Sequence, residues 1–250
     1  MKASAEPASL AAEAYAFVRQ RVLRGDIGLG EVISRRKLAA QLKMSFLPVS
    51  EALLRLEFEG LLESRPRAGT RVRIPSPEDV RGHYIVREAL EVQAAIRFTQ
   101  VATAAERREL LHLAARVDAL APRPNRSQYV KAHQRLHARI AQCARCPALV
   151  EAIERTHALA SIWLCAIRTP RSDDPPARHT ELAQAVVSDD PDRAAAAVRA
   201  HLAESLSRAL EVLQPYFRLR KLTGQTFRRK PWATPADGVK AGRKPLTAAR

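Results

Sequence analysis

Apolar residues recur at helical spacing along most of this chain. Over residues 10–24 the positions Ala14, Phe17, Val18 and Leu23 share one face of a predicted helix, which the glycine-rich turn 25–30 closes. Ile33, Leu38 and Leu42 continue the helical spacing, and a break follows over Lys43, Met44, Ser45, Phe46 and Leu47. Pro48 suits the first turn of a new helix, where its missing N–H costs nothing, and Ser45 stands close by as a cap. That helix carries Val49, Ala52, Leu53 and Leu56 on one face and ends at Gly60. Two extended runs, 61–64 and 70–74, flank the basic turn Arg65, Pro66, Arg67, Ala68 and Gly69. Helix, tight turn, helix and basic hairpin form the pattern of a winged helix-turn-helix, whose second helix enters the major groove of DNA.

Pro75, Ser76 and Pro77 interrupt this pattern, and Ser76 with Asp79 begins a capping sequence. Helices are predicted near 79–100, 103–120, 126–142, 147–168, 176–188 and 191–213. Prolines and short loops separate them, which suggests an antiparallel bundle. The expected fold is mainly α, an N-terminal winged helix-turn-helix followed by an all-α antiparallel bundle. The expected divisions are a disordered lead 1–9, a head 10–75, a linker 76–78, a bundle 79–214 and a basic, disordered tail 215–250.

Charge sharpens this division. The net charge is +16, of which residues 1–76 carry +5, residues 77–214 carry +2 and residues 215–250 carry +9. A basic excess at the two ends points to a polyanionic partner and leaves the middle free for other work. Three cysteines without a secretory h-region fit a reducing cytoplasm. No stretch approaches the roughly 20 apolar residues that span a bilayer, so no membrane partner is expected.

The stretch GEVISRRKLAAQLKMSFLPVSEALLRLEFEGLLESRPRAGTRV resembles the N-terminal domain of GntR-type bacterial transcription regulators. The resemblance implies binding of a double-stranded DNA operator as a homodimer. The residues placed to meet DNA are Arg35, Arg36, Lys37, Ser45, Ser50, Arg55, Arg67, Gly69 and Arg71, with Lys43 and Arg73 as further phosphate partners. Two arginines usual in the family are replaced here by Phe46 and Ser50. Arginine on guanine is the commonest base contact, so operator preference should be weakened or altered.

The second half, through IVREALEVQAAIRFTQVAT, HQRLHARIAQCARCPALVEAI and RHTELAQAVVSDDPDRAAAAVRAHL, resembles the FCD ligand-sensing domain of the FadR subfamily. His133 and His137 lie one turn apart on one helix face, with His179 and His201 on later helices. Imidazole suits Zn, Ni, Cu or Fe. The resemblance implies a metal held by one Asp and three His. The His positions match His137, His179 and His201, while His133 stands where the family has Asp. A divalent transition ion, Zn or Ni, could therefore bind all four imidazoles. Arg87 matches a family arginine near the effector pocket and suits a carboxylate; the plainer alternative is a surface pair with Glu91 at i+4.

Other features carry less. His83, His112 and His157 read as structural or solvated, and Trp163 and Phe98 as core or pocket wall. Cys143 and Cys146 form a C-x-x-C that reads as small residues closing a helix. HQRLH has Gln134 where a zinc hydrolase of the H-E-x-x-H type needs its glutamate base. The expected protein is thus a non-enzymatic, DNA-binding transcription regulator whose grip on its operator answers to a small-molecule effector, an organic acid. The alternatives are a low-specificity nucleic-acid binder using the basic tail, and a metal-dependent enzyme on the bundle.

Overall fold

The computed structural model describes residues 9–66, 68–121, 126–165 and 177–222. Its N-terminal helix α1 (Leu10–Leu23) starts at Ser9, whose hydroxyl accepts the Ala12 N–H. Ala14, Val18 and Val22 are buried, and α1 packs chiefly on α3 (Phe46–Phe58). Helix α2 (Arg35–Leu42) starts at Ser34, which caps the Lys37 N–H. Ile33, expected at helical spacing, instead lies in a short strand, β1 (Val32–Ile33). The Ser34 cap ends the extended backbone there, and β1 finds its partners in a strand almost forty residues away.

Lys43 closes α2 in the left-handed region, with φ 54°. Helix α3 buries Val49, Ala52, Leu53 and Leu56, the face its spacing predicted. Ser45 occupies the N-cap position, but its side chain makes no cap hydrogen bond. Gly60 follows at φ +77°, a conformation that side chains rarely adopt, and lets the chain turn from α3 into β2 (Leu62–Arg65). Strand β3 (Gly69–Val72) lies between β1 and β2 in an antiparallel sheet of order β1-β3-β2. Val32 pairs with Arg71, and Leu62 pairs with Val72. Gly30 is fixed in the same way as Gly60, by its φ of +79°.

At the junction, Ser76 and Asp79 form a reciprocal capping box that starts the long helix α4 (Pro77–Val101). Thr103 and Glu106 do the same for α5 (Ala104–Leu120). The bundle continues with α6 (Arg126–Cys143), α7 (Pro147–Cys165), α8 (Arg178–Val186) and α9 (Pro191–Val212). Helices α4 and α9 form the most extensive pair. Phe98, Leu110, Leu136, Ile153 and Leu202 fill the core between the helices. No helix among the described residues is long and apolar enough to cross a membrane.

The expected disordered tail begins too early. Residues 214–222 form a further helix, α10 (Gln214–Leu222), with Phe217 buried against the core. Its Arg220 Nη1 donates to the Ile74 carbonyl at 2.6 Å and lies 3.4 Å from Asp79 Oδ2. Arg73, just after β3, meets the same carboxylate oxygen at 2.9 Å. Asp79 therefore joins the wing, the start of α4 and the last described helix. Residues 1–8, Arg67, the proline-rich segment 122–125, the loop 166–176 and the remaining tail 223–250 lie outside the described residues.

Burial alone would raise the Asp79 pKa, but the Ser76 N–H and the Arg73 charge, with Arg220 beyond, hold it below the ordinary value. A depressed native pKa adds stability above the unfolded value, and that stability is lost as pH falls through the native one. Asp79→Asn should therefore lower the thermal midpoint at pH 7. The gap to the parent should close as the pH falls below the usual carboxylate range, which melts recorded from pH 7 to pH 3 will show.

Candidate functional site

Helices α4 to α9 bring a set of ionisable side chains to the centre of the bundle. His133 and His137 come from α6, His179 from α8 and His201 from α9. Ring centroids are 4.5 Å apart for His133 and His137, 5.2 Å for His133 and His179, and 5.3 Å for both His137–His201 and His179–His201. All four imidazoles expected from the sequence are thus gathered in one place. The ligating nitrogens of His133, His137 and His201 lie within 4.8 Å of one another.

Carboxylates orient two of these rings. Glu91 Oε2 lies 3.2 Å from His137 Nδ1, and Asp118 Oδ1 lies 2.7 Å from His179 Nδ1. An anionic oxygen requires the proton on the Nδ1 it meets, which leaves each Nε2 as a lone pair. Both Nε2 atoms are buried without a hydrogen-bond partner, as is Nδ1 of His201. Orphaned buried acceptors cost about 1–3 kcal/mol each. Asp118 is itself anchored by the backbone N–H groups of His179 and Thr180 and by the Thr180 hydroxyl.

Burial pushes the pKa of His137 down to about 4 and those of His133 and His201 well below the ordinary imidazole value. These rings are neutral at neutral pH, the form that binds metal. The unpartnered buried nitrogens of His137, His179 and His201, the first two on rings held by carboxylates, fit a borderline transition ion.

Glu91 was missed as a site residue. It is buried, and its Oε1 meets Arg87 Nε at 2.7 Å and His157 Nε2 at 3.0 Å. Burial works to raise its pKa, yet Arg87 and His157 outweigh that and hold it well below the usual range. His157, expected to be structural or solvated, closes a second group of possible ligands with Glu91 and His137. Asp118 gave no signal in the sequence. Arg87 does pair with Glu91 as the i+4 spacing allows, but in the core rather than on the surface, with its guanidinium 4.8 Å from the Tyr84 ring. Cys143 and Cys146 are free thiols, and burial raises the Cys143 pKa to about 11, which suppresses thiolate chemistry.

The winged head presents a different surface. Arg36 and Lys37 on α2 and Ser45 before α3 are exposed, and Ser50 is half-buried. Arg35 is exposed but lies 3.3 Å from the Thr70 hydroxyl, which places it beside the wing. Gly69 is exposed at the wing turn, and half-buried Arg71 donates to the Ala68 carbonyl at 3.4 Å. Arg55 is exposed at 61% and lies over the Tyr15 ring, with its guanidinium carbon 4.0 Å from the ring centroid and its Nε 3.4 Å from Glu59. Arg67 lies outside the described residues.

Residues 10–72 match the family of bacterial regulatory proteins named gntR, and residues 83–204 match the FCD domain. The chain belongs to the GntR family. Among curated relatives of this GntR chain, a probable D-xylose utilization operon transcriptional repressor of Paenarthrobacter nicotinovorans is 37% identical over 83 residues. That match covers 33% of this chain and 37% of the relative, so it spans little more than a third of that protein's length. The fold is shared with a GntR regulator from Rhodococcus sp. RHA1, at TM-score 0.70 and 20% identity, covering 82% of this chain and 99% of that one. It is also shared with McbR/YncC of E. coli, at TM-score 0.64 and 21% identity, covering 84% and 100%.

Removing one partner of a buried ion pair leaves an uncompensated charge, at a cost of about 3–5 kcal/mol. Arg87→Ala should destabilise the GntR chain by that order, whereas Arg155→Ala, on an exposed pair with Glu151, should change little. Urea denaturation of the two variants provides the comparison.

Proposed function

We propose that this chain is a transcription regulator in which the winged head binds a duplex operator and the bundle senses a small carboxylate. The observation that carries the reading is the outer face of α3: Phe46 is 58% exposed and Leu47 68% exposed, at the end of the helix that would enter a groove. Arg36 and Lys37, exposed on the preceding helix α2, offer charge for phosphates. Helix-turn-helix proteins of this kind bind two-fold related sites as homodimers, which is the expected assembly.

In the bundle, His133, His137, His179 and His201 would hold a divalent ion such as Zn or Ni. Such an ion supplies a positive, Lewis-acidic centre that a carboxylate can bind. His133 adds a neutral donor where a carboxylate would have added charge, which favours an anionic effector to balance the site. Glu91 and Asp118 keep the ring nitrogens turned inward. Buried Arg87 reaches the site through Glu91, and its planar fork suits an acid.

A metal-dependent enzyme would need a carboxylate able to take up a proton. Glu91 and Asp118 are the carboxylates against these rings, but Arg87, His137 and His157 engage Glu91, and His179 and Thr180 engage Asp118, which keeps both anionic. That makes them weak bases and orienting groups. Coupling to the head has a physical route in the Arg73–Asp79–Arg220 contact and in the packing of α1 on α7. An effector changes DNA affinity only through unequal affinity for two arrangements of that junction.

Full-length protein should enrich a defined sequence from random duplexes, and members of a panel of di- and tricarboxylic acids should shift its affinity for that duplex. Removal of 223–250 should weaken binding but keep the preference. Equal binding of every duplex, lost with the tail, would support a low-specificity binder instead. Metal analysis after Zn or Ni loading should find one bound ion, and His137→Ala should lose it while keeping its helical content.

A further inference from the structure

We propose that the recognition helix reads thymine methyl groups rather than guanine, through Phe46 and Leu47; this rests on the DNA-binding reading above. Phe46 and Leu47 form the first turn of α3 and are exposed, at 58% and 68%. In helix-turn-helix docking the N-terminal residues of the second helix meet the base edges. The only basic residue of α3 is Arg55, nine residues beyond Phe46 and beside the Tyr15 ring and Glu59. The turn that faces the groove floor therefore offers no guanidinium for guanine O6 and N7.

It offers instead two large apolar side chains at adjacent positions. The major-groove floor presents one apolar group, the 5-methyl of thymine. The same helix-turn-helix carries exposed Arg36 and Lys37 on α2 and exposed Lys43, which closes α2 three residues before Phe46. That charge complements a polyphosphate rim around an apolar target, and would be poorly placed against a second apolar protein face. The occupant is thus duplex DNA with thymines at the positions under Phe46 and Leu47.

The test uses full-length protein. Selection from random duplexes should yield a site with invariant thymines in each half. Replacing those thymines with deoxyuridine keeps pairing and the O4 acceptor but removes the methyl, and should weaken binding about fourfold per contacted methyl, the factor that burial of one methyl group gives. Phe46→Ala should bind more weakly and lose sensitivity to the uracil swap at its position, and Phe46→Arg should shift selection toward guanine there. Both side chains are exposed, and a thermal melt checks that the fold survives. A selected site dominated by guanine, or equal affinity for thymine and uracil duplexes, would overturn the inference while leaving the operator-binding reading intact. Failure to enrich any sequence would overturn both. A variant that changed only the oligomeric state would identify the tip as a protein contact and sink the inference.

Discussion

The buried carboxylate of Glu91 is the constraint around which the bundle is arranged. Its two oxygens receive Arg87 from its own helix, His137 from α6 and His157 from α7. A charge removed from water in this way is tolerated only with several donors in place. Satisfying it therefore fixes three helices relative to one another. The same bonds dictate which nitrogen of His137 carries the proton, and so which one is left facing the other imidazoles. Asp118 repeats the device from α5 on His179. The centre is built from outside inward, with carboxylates setting two of the rings and the unpartnered nitrogens gathered among them.

At the other end of the molecule the logic reverses. The head keeps its apolar face inward through Val49, Leu53 and Leu56, yet leaves Phe46, Leu47, Leu54 and Phe58 of the same helix in solvent. Large exposed apolar groups on a helix are informative when they cluster, because burying them against a partner would stabilise the complex. The head is thereby suited to meet a surface, and the bundle to enclose a ligand. Asp79, shared by Arg73 and Arg220, lies where the two meet.

Local chemistry made the head legible in the sequence. Pro48, Gly60 and the spacing of Val49, Ala52, Leu53 and Leu56 act within a few residues of one another, and α3 formed as they dictate. Strand β1 escaped because Ile33 stands at helical spacing with Leu38 and Leu42, and it became part of a strand only through pairing with β3. Helix α10 escaped because its arginines and lysine masked Tyr216, Phe217 and Leu219, and burial of Phe217 depends on a core the sequence does not display. The four imidazoles were legible from spacing and resemblance together. Glu91, His157 and Asp118 were not, since each acts across helices, and only the i+4 relation of Arg87 to Glu91 hinted at the network.

If the imidazole centre and the groove-facing helix are two sites on one equilibrium, their effects on each other must be equal in size. Zinc affinity of the full chain, titrated with and without a saturating amount of its selected duplex, measures this most directly. Duplex should change zinc affinity by the same factor by which zinc changes duplex affinity. Identical zinc affinities with and without duplex, in a protein that binds both, would contradict it.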